Sequence, residues 1–488
     1  MEKILKINLE EKHSISPYLY MQFMEPLGVC DTSVDAAWNF KQDKWHDKVI
    51  EKTKELAPTM LRYGGCFASY YHWKEAVGPQ SQRIPMYNYV WGGYYQNQVG
   101  THEFIDFCRQ VGAEPLLQVN MQGEGLSFYN KPWKDGSIRA GTVEEAAEWV
   151  DYCNNPDNAL RISHGVKDPY NIKYWQIGNE TSYSIEGEIG FTGEQCADVT
   201  RKFARKMKET DPNIKTIGWG DIIMNWQNPD HKDDTWCEKM SKVDEVDMIA
   251  FHHHANSGLP DSPLSGNDFR KDWENTWKHF MHSHKSLEAT IARMRAGRGD
   301  KRLAMTEGHF SFPGKNRGNA LMTWAAGVAY ARWHNVIMRN SDVLDIATLA
   351  DFCGNIWQSN ALMIPTPIHA GQCYLMPVAE TMALYGRHQG KQALDVTTDS
   401  AVDAVASRTG NKVYLHLANT DMYTAQQLKL DLGGAKIASI KMEAINARPD
   451  DEITPINLDV FKSETTTIEG DTIVLQPCAV AGVEITLA

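Results

Sequence analysis

The chain opens on a short alternation of apolar and polar residues, Lys3-Ile-Leu-Lys-Ile-Asn-Leu9, and then settles into a repeating pattern. A brief apolar, β-rich run is followed each time by a longer stretch whose apolar positions recur at helical spacing. The short runs predict strands at Tyr18–Phe23, Thr59–Tyr63, Pro115–Val119, Tyr174–Ile177, Thr216–Trp219, Met248–His252, Leu303–Thr306 and Val343–Ala347. Between them the spacing predicts helices such as Trp45–Leu56, His102–Val111, Val143–Cys153, Gly193–Thr210, Trp273–Arg295 and Ala320–Arg339. Eight strand-helix units make a parallel sheet with crossover helices, and the fold class expected is an α/β (β/α)8 TIM barrel with enlarged loops.

Near residue 390 the pattern changes. From Leu394 to Ala488 the chain reads as short alternating strands, among them Lys412–Ala418 and Thr472–Leu475, with Gly, Asn and Asp between them and almost no helical spacing. This predicts a C-terminal β-sandwich. A lone strand at the N-terminus needs a sheet to satisfy its backbone, so it is expected to pair with that sandwich. The expected division is residues 1–14 as a strand joining the sandwich, 15–390 as the barrel and 391–488 as the sandwich. The stretch Phe312–Asn319, rich in Gly, Pro and basic residues, reads as a loop within the barrel.

A chain of 488 residues with 42% hydrophobic composition has the material for a large core. Its 62 acidic residues outnumber 49 basic ones, giving a formal charge of -13, and no stretch concentrates Lys and Arg. A phosphate-tracking groove is thereby excluded, and no nucleic-acid partner is expected. The nine cysteines are scattered and form no C-x-x-C pair, which points to neither a disulfide framework nor a zinc site. No run of eighteen apolar residues occurs, so no membrane partner is expected. The opening residues lack the apolar centre of a secretory signal. They suggest a cytoplasmic protein, or a periplasmic or secreted one if a signal has been trimmed away.

Two strand ends carry the chemistry. Trp175-Gln-Ile-Gly-Asn-Glu-Thr181 is an apolar strand running into Asn179 and Glu180, which places a carboxylate at the barrel mouth beside an amide able to hydrogen-bond a sugar hydroxyl. The competing reading is a structural Glu at a helix start, favoured by the helix dipole. Arg302-Leu-Ala-Met-Thr-Glu-Gly308 is a second strand that ends in a carboxylate, Glu307. Alone, Thr-Glu-Gly is a weak motif; its weight comes from the pairing. Glycosidic bond cleavage requires two carboxyl groups, one protonated for the leaving oxygen and one ionised to attack or to activate water. The run His252-His253-His254 places two imidazoles on one strand face, where a third ligand would make a metal site. No such ligand is evident in the sequence, and the favoured reading is that His252 and His254 line the pocket with no metal bound. The aromatic cluster around Trp91, in Tyr87-Asn-Tyr-Val-Trp-Gly-Gly-Tyr-Tyr95, is a candidate sugar-stacking wall.

At this point the chain resembles a known family. Leu61-Arg-Tyr-Gly-Gly-Cys-Phe67, Tyr71-His-Trp-Lys-Glu-Ala-Val-Gly-Pro79, Gln98–Phe107, Gly112–Pro115, Val143–Asn154 and Gly178-Asn-Glu180 are similar, in this order, to the α-L-arabinofuranosidases of glycoside hydrolase family 51. The resemblance implies a retaining barrel enzyme with Glu180 as acid/base and Glu307 as nucleophile. It further implies that Asn179 holds the sugar's 2-hydroxyl, that Glu25 in Gln22-Phe-Met-Glu-Pro-Leu-Gly28 binds sugar, that Cys66 lines the site after the paired glycines, and that Arg62 lies beneath the nucleophile. No cofactor is implied. The expected partner is an arabinose-containing oligosaccharide, and a homo-oligomer fits the family.

Four departures stand against this pattern. His254 occupies the position of a family Tyr, Asp351 that of a Gln after strand eight, Gly308 that of a Trp after the nucleophile, and the Pro expected between Tyr63 and Gly64 is absent. The Tyr and the Gln are the family's contacts to the exocyclic hydroxymethyl of the furanose. The expected function is therefore an exo-acting α-L-arabinofuranosidase. Two alternatives remain open: a related glycosidase with another substrate (β-xylosidase, endoglucanase or other furanosidase) and a non-catalytic carbohydrate-binding protein.

Overall fold

The computed structural model describes residues 3–132, 136–185, 188–222, 235–312 and 318–488. Eight parallel strands close into a barrel: Tyr18–Met24, Met60–Tyr63, Glu114–Val119, Tyr174–Ile177, Lys215–Trp219, Met248–Ala255, Arg302–Phe310 and Leu344–Gly354. The last pairs with both the seventh and the first. Strands such as Met60-Leu-Arg-Tyr63 and Tyr174-Trp-Gln-Ile177 are buried along their whole length. One face fills the barrel and the other lies under the helices, which is why they read as unbroken apolar runs.

All eight predicted strands are present, and the last three run beyond their predicted ends, to Ala255, Phe310 and Gly354. The helices Asp47–Leu56, Thr101–Val111, Val143–Asn154 and Gly193–Thr210 cover the barrel much as their apolar spacing predicts. The single helix expected over 273–295 is two, Trp273–His282 and His284–Gly297. They meet at Ser283, whose Oγ donates to the Phe280 carbonyl and accepts from Trp333 Nε1, a local side-chain bond of the kind that competes with helix propagation. Helix Trp324–Arg339 is preceded by a separate 3-10 turn, Asn319–Met322. Within the loop expected at Phe312–Asn319, residues 313–317 lie outside the described residues.

The C-terminal part is sheet-rich. Strand Lys3–Asn8 pairs antiparallel with Gln392–Thr398 and parallel with Gln426–Asp431, as a member of a nine-stranded sheet. These strands enclose a core of their own, including Leu5, Ile7, Val413, Leu415, Ile473 and Ile485. The sheet is clamped to the barrel's helix Trp324–Arg339: Trp324 Nε1 donates to the Cys478 carbonyl, and Arg332 and Arg339 both pair with the half-buried Asp403.

Candidate active site

The fourth barrel strand ends at Ile177, and the backbone then turns sharply through Gly178 at φ +75° and Glu180 at φ +43°. The left-handed region is costly for a residue with a Cβ, and such strain gathers at functional sites. Here it lifts Asn179 and Glu180 over the mouth of the barrel. At the seventh strand the ladder slips: Phe251 pairs with Met305 but His252 pairs with Glu307, so Thr306 is the extra residue of a bulge. The bulge brings both Thr306 and Glu307 within reach of His252.

Arg62, fully buried in the second strand, ties the site together. Its Nη1 donates to Glu307 Oε1 over 2.8 Å, and its Nη2 donates to Gln118 Oε1 and Asn179 Oδ1, each over 2.7 Å. Gln118, in the third strand, also accepts from the Gly65 N–H and donates to the Gly178 carbonyl. The turn carrying Asn179 is thereby fixed by the same network that holds Glu307.

Glu180 and His252 form the second half. His252 Nδ1 lies 2.7 Å from Glu180 Oε1 and 3.5 Å from Glu307 Oε2, and its Nε2 lies 3.0 Å from Thr306 Oγ1. The ring stands edge-on to Trp219 at 4.6 Å. Burial pushes the Glu180 carboxyl up to about 7 and the His252 imidazole down to about 3. Below pH 7 the shared proton therefore rests on Glu180 and points at a neutral imidazole.

Glu25, just past the first strand, accepts from the Cys66 N–H and from Trp91 Nε1, both over 2.8 Å. Burial, reinforced by the Glu307 charge, raises its carboxyl well above the usual range. Gly65, at φ +135°, lies so close to this carboxylate that a Cβ there would overlap it. Cys66 contributes its backbone N–H to Glu25, while its Sγ lies 3.9 Å from Asn179 Nδ2. Trp91 meets Trp357 edge-on at 5.3 Å. The loop carrying Trp357 is held by the buried Asp31, which accepts from the N–H groups of Asn355, Ile356 and Trp357 and from Asn360 Nδ2.

The departing residues also gather here. His254 Nε2 lies 3.5 Å from Glu307 Oε2, and its ring stacks on His309 at 4.4 Å. His309 Nε2 lies 3.9 Å from Asp351 Oδ2, to which Ser359 Oγ donates over 2.7 Å. Gly308 has no room for a side chain, because a Cβ would sit 2.7 Å from the Thr348 carbonyl oxygen. His253 alternates outward, toward Thr290 and Ser286 on the covering helix. All ten residues singled out from the sequence thus cluster at one end of the barrel.

The sequence reading passed over Gln118, Glu124, Thr306 and His309. Glu124 is buried, accepts from Ser69 Oγ and from the Asn179 N–H, and burial pushes its carboxyl up to about 8. Its only local signal is its place in Gln122-Gly-Glu-Gly125, where Glu124 itself takes φ +60°.

Comparison with known proteins places the chain. The model of the α-L-arabinofuranosidase 1 domain matches residues 52–262, and that of the α-L-arabinofuranosidase C-terminal domain matches 310–477. An intracellular exo-α-L-arabinofuranosidase of Bacteroides ovatus is 26% identical over 89% of this chain and 85% of its own length. α-L-arabinofuranosidase C of Emericella nidulans is 34% identical, over 42% of this chain and only 38% of its own length. The crystal structure of the GH51 arabinofuranosidase from Xanthomonas axonopodis pv. citri shares the fold at a TM-score of 0.79, with 19% identity over 99% of this chain and all of that one. The two domain models lie in order along one chain and together span more than three quarters of it; the chain is an α-L-arabinofuranosidase-like protein of the glycoside hydrolase family 51 type.

Proposed function

We propose that this chain is a retaining, exo-acting α-L-arabinofuranosidase that releases terminal arabinofuranose from plant-type oligosaccharides. Glu307 Oε2 attacks the anomeric carbon while Glu180 protonates the departing oxygen; Glu180 then deprotonates the water that frees the sugar from Glu307. The carrying observation is the bridge through one atom. His252 Nδ1 lies 2.7 Å from Glu180 Oε1 and 3.5 Å from Glu307 Oε2, which caps the separation of those two oxygens at about 6.2 Å. That cap admits the ~5–5.5 Å of a double displacement and leaves too little room for the water of an inverting site, at ~6.5–9.5 Å. Arg62 engages Oε1 of Glu307 and leaves Oε2 to the pocket. Asn179, its Oδ1 held by Arg62 and its Nδ2 3.9 Å from Cys66 Sγ, is the amide assigned to the sugar's 2-hydroxyl. The Bacteroides relative is named intracellular, and the same compartment is proposed here; no helix among the described residues is long and apolar enough to cross a membrane.

A panel of nitrophenyl glycosides tests this. The arabinofuranoside is expected to be the preferred substrate, with the α-configured sugar as first product, and Glu307→Ala is expected to lose more than the ~10²–10⁴-fold that proton transfer alone supplies. Undiminished turnover by Glu307→Ala would refute the role. The second reading, a pyranosidase of the same mechanism, draws on His254 and Asp351 standing at the positions of the family's contacts to the furanose hydroxymethyl; a clear preference for the β-xyloside would establish it.

A further inference from the structure

Three pocket side chains also hold the geometry of a metal site. His252 Nδ1 and His254 Nε2 each lie 3.5 Å from one atom, Glu307 Oε2, and one ligand atom from each of the three residues falls within 4.8 Å of the others. Alternation along the sixth strand aims both imidazoles inward, and the Thr306 bulge sets Glu307 opposite them. Two histidines alone are a weak signal for a metal, and the third ligand comes from the neighbouring strand, beyond the reach of sequence spacing.

A zinc-class ion takes imidazole nitrogen and carboxylate oxygen at about 2.0–2.2 Å in tetrahedral geometry, which sets neighbouring ligand atoms roughly 3.4 Å apart. The two 3.5 Å separations match that edge. Outer partners orient the donors as a metal site requires. A proton on His252 Nε2, directed at Thr306 Oγ1, leaves Nδ1 with its lone pair, and Arg62 occupies Oε1 of Glu307 so that Oε2 is free. The His254 ring is braced on His309, yet its side chain keeps 32% exposure, open to an ion arriving from solvent. Glu25, Glu124, Glu180, Glu307 and Asp351 surround the site, with Arg62 as the buried cation among them, so an added positive charge meets a carboxylate-rich field.

We propose that His252, His254 and Glu307 form a binding site for a zinc-class divalent cation, with water or Glu180 Oε1 in the fourth position, and that the ion and the sugar exclude each other. The ion displaces the proton between Glu180 and His252. Exclusion rests on Glu307 Oε2 being the attacking oxygen, as read above; metal binding does not.

Titration of metal-free protein with Co²⁺, followed by displacement with Zn²⁺, tests the site directly. One equivalent of Co²⁺ is expected to give the intense visible absorption of tetrahedral coordination. His254→Ala and Glu307→Gln are each expected to weaken binding at least ten-fold, while His369→Ala, at an exposed histidine elsewhere, leaves it unchanged; near-UV circular dichroism confirms that the variants fold. Absence of the tetrahedral signal in the unaltered protein, or an affinity in both pocket variants equal to that of the unaltered protein, overturns the proposal. Loss of arabinofuranoside turnover in step with Co²⁺ occupancy supports exclusion. A loaded protein that turns over at full rate refutes exclusion and with it the attacking role of Glu307, whereas a protein that never loads refutes the metal site and leaves that role untouched.

Discussion

Arg62 donates to Glu307 Oε1 over 2.8 Å with both partners buried, and its other terminal nitrogen reaches Gln118 and Asn179. One guanidinium therefore links the second strand to the third, the seventh and the turn after the fourth. Breaking a buried pair by removing one member leaves an uncompensated charge and costs about 3–5 kcal/mol. Arg62→Ala is expected to lose stability on that scale in urea unfolding. Arg62→Lys keeps the charge but cannot supply the planar fork, so it should fold better than the Ala variant while kcat/KM stays depressed.

Burial pushes the Glu180 carboxyl up to about 7, and its partner His252 down to about 3. Acid catalysis needs the protonated form, so kcat/KM should fall as pH rises through about 7. The folding contribution has the same sign. A carboxyl whose folded value lies above its ordinary 4.5 binds more protons in the native state between those limits, and stability is lost as pH rises through that window. Glu180→Gln is expected to remove the alkaline limb and flatten the stability slope. Its loss of kcat/KM should also be greatest for substrates with poor leaving groups and smallest for nitrophenol. A pH profile of Glu180→Gln that keeps its alkaline limb would assign that limb to another group.

Gly308 follows the proposed nucleophile at a position where the family carries Trp. A Cβ at this point meets the backbone oxygen of Thr348, which no rotamer change relieves. Gly308→Ala is expected to cost about 1–3 kcal/mol by overpacking, read as a lowered melting temperature, and Gly308→Trp to fail to fold. A Gly308→Trp variant as stable as the parent would show that the eighth strand shifts freely.

The eight barrel strands were legible because a strand buried on both faces must be apolar along its length. Their functional ends were less so. His254 and Gly308 lie in strand extensions where polar residues continue the ladder past the apolar run, whereas Asp351 interrupts an extension that stays largely apolar. Glu180 and Glu307 stood out because each is a carboxylate just past an apolar run. Gln118, Glu124 and Thr306 could not be found this way. Their roles lie in bonds between strands distant in sequence, and in a bulge whose position depends on pairing rather than on residue type.

Asp31 acts at one remove from the chemistry. Its carboxylate caps three successive N–H groups, those of Asn355, Ile356 and Trp357, and Gly354 packs against it so closely that a Cβ would overlap the carboxylate. Trp357 in turn meets Trp91, whose Nε1 donates to Glu25. Loss of Asp31 leaves buried donors unpaired, at about 1–3 kcal/mol, and frees the loop that sets one edge of the aromatic wall. Because no bond runs from Asp31 to Glu180 or Glu307, Asp31→Ala should raise KM several-fold while kcat changes little. Asp31→Asn, which retains an acceptor oxygen, should recover part of that loss. If kcat fell as steeply as KM rose, the loop would be positioning the reacting carboxylates themselves rather than the aromatic edge formed by the two tryptophans.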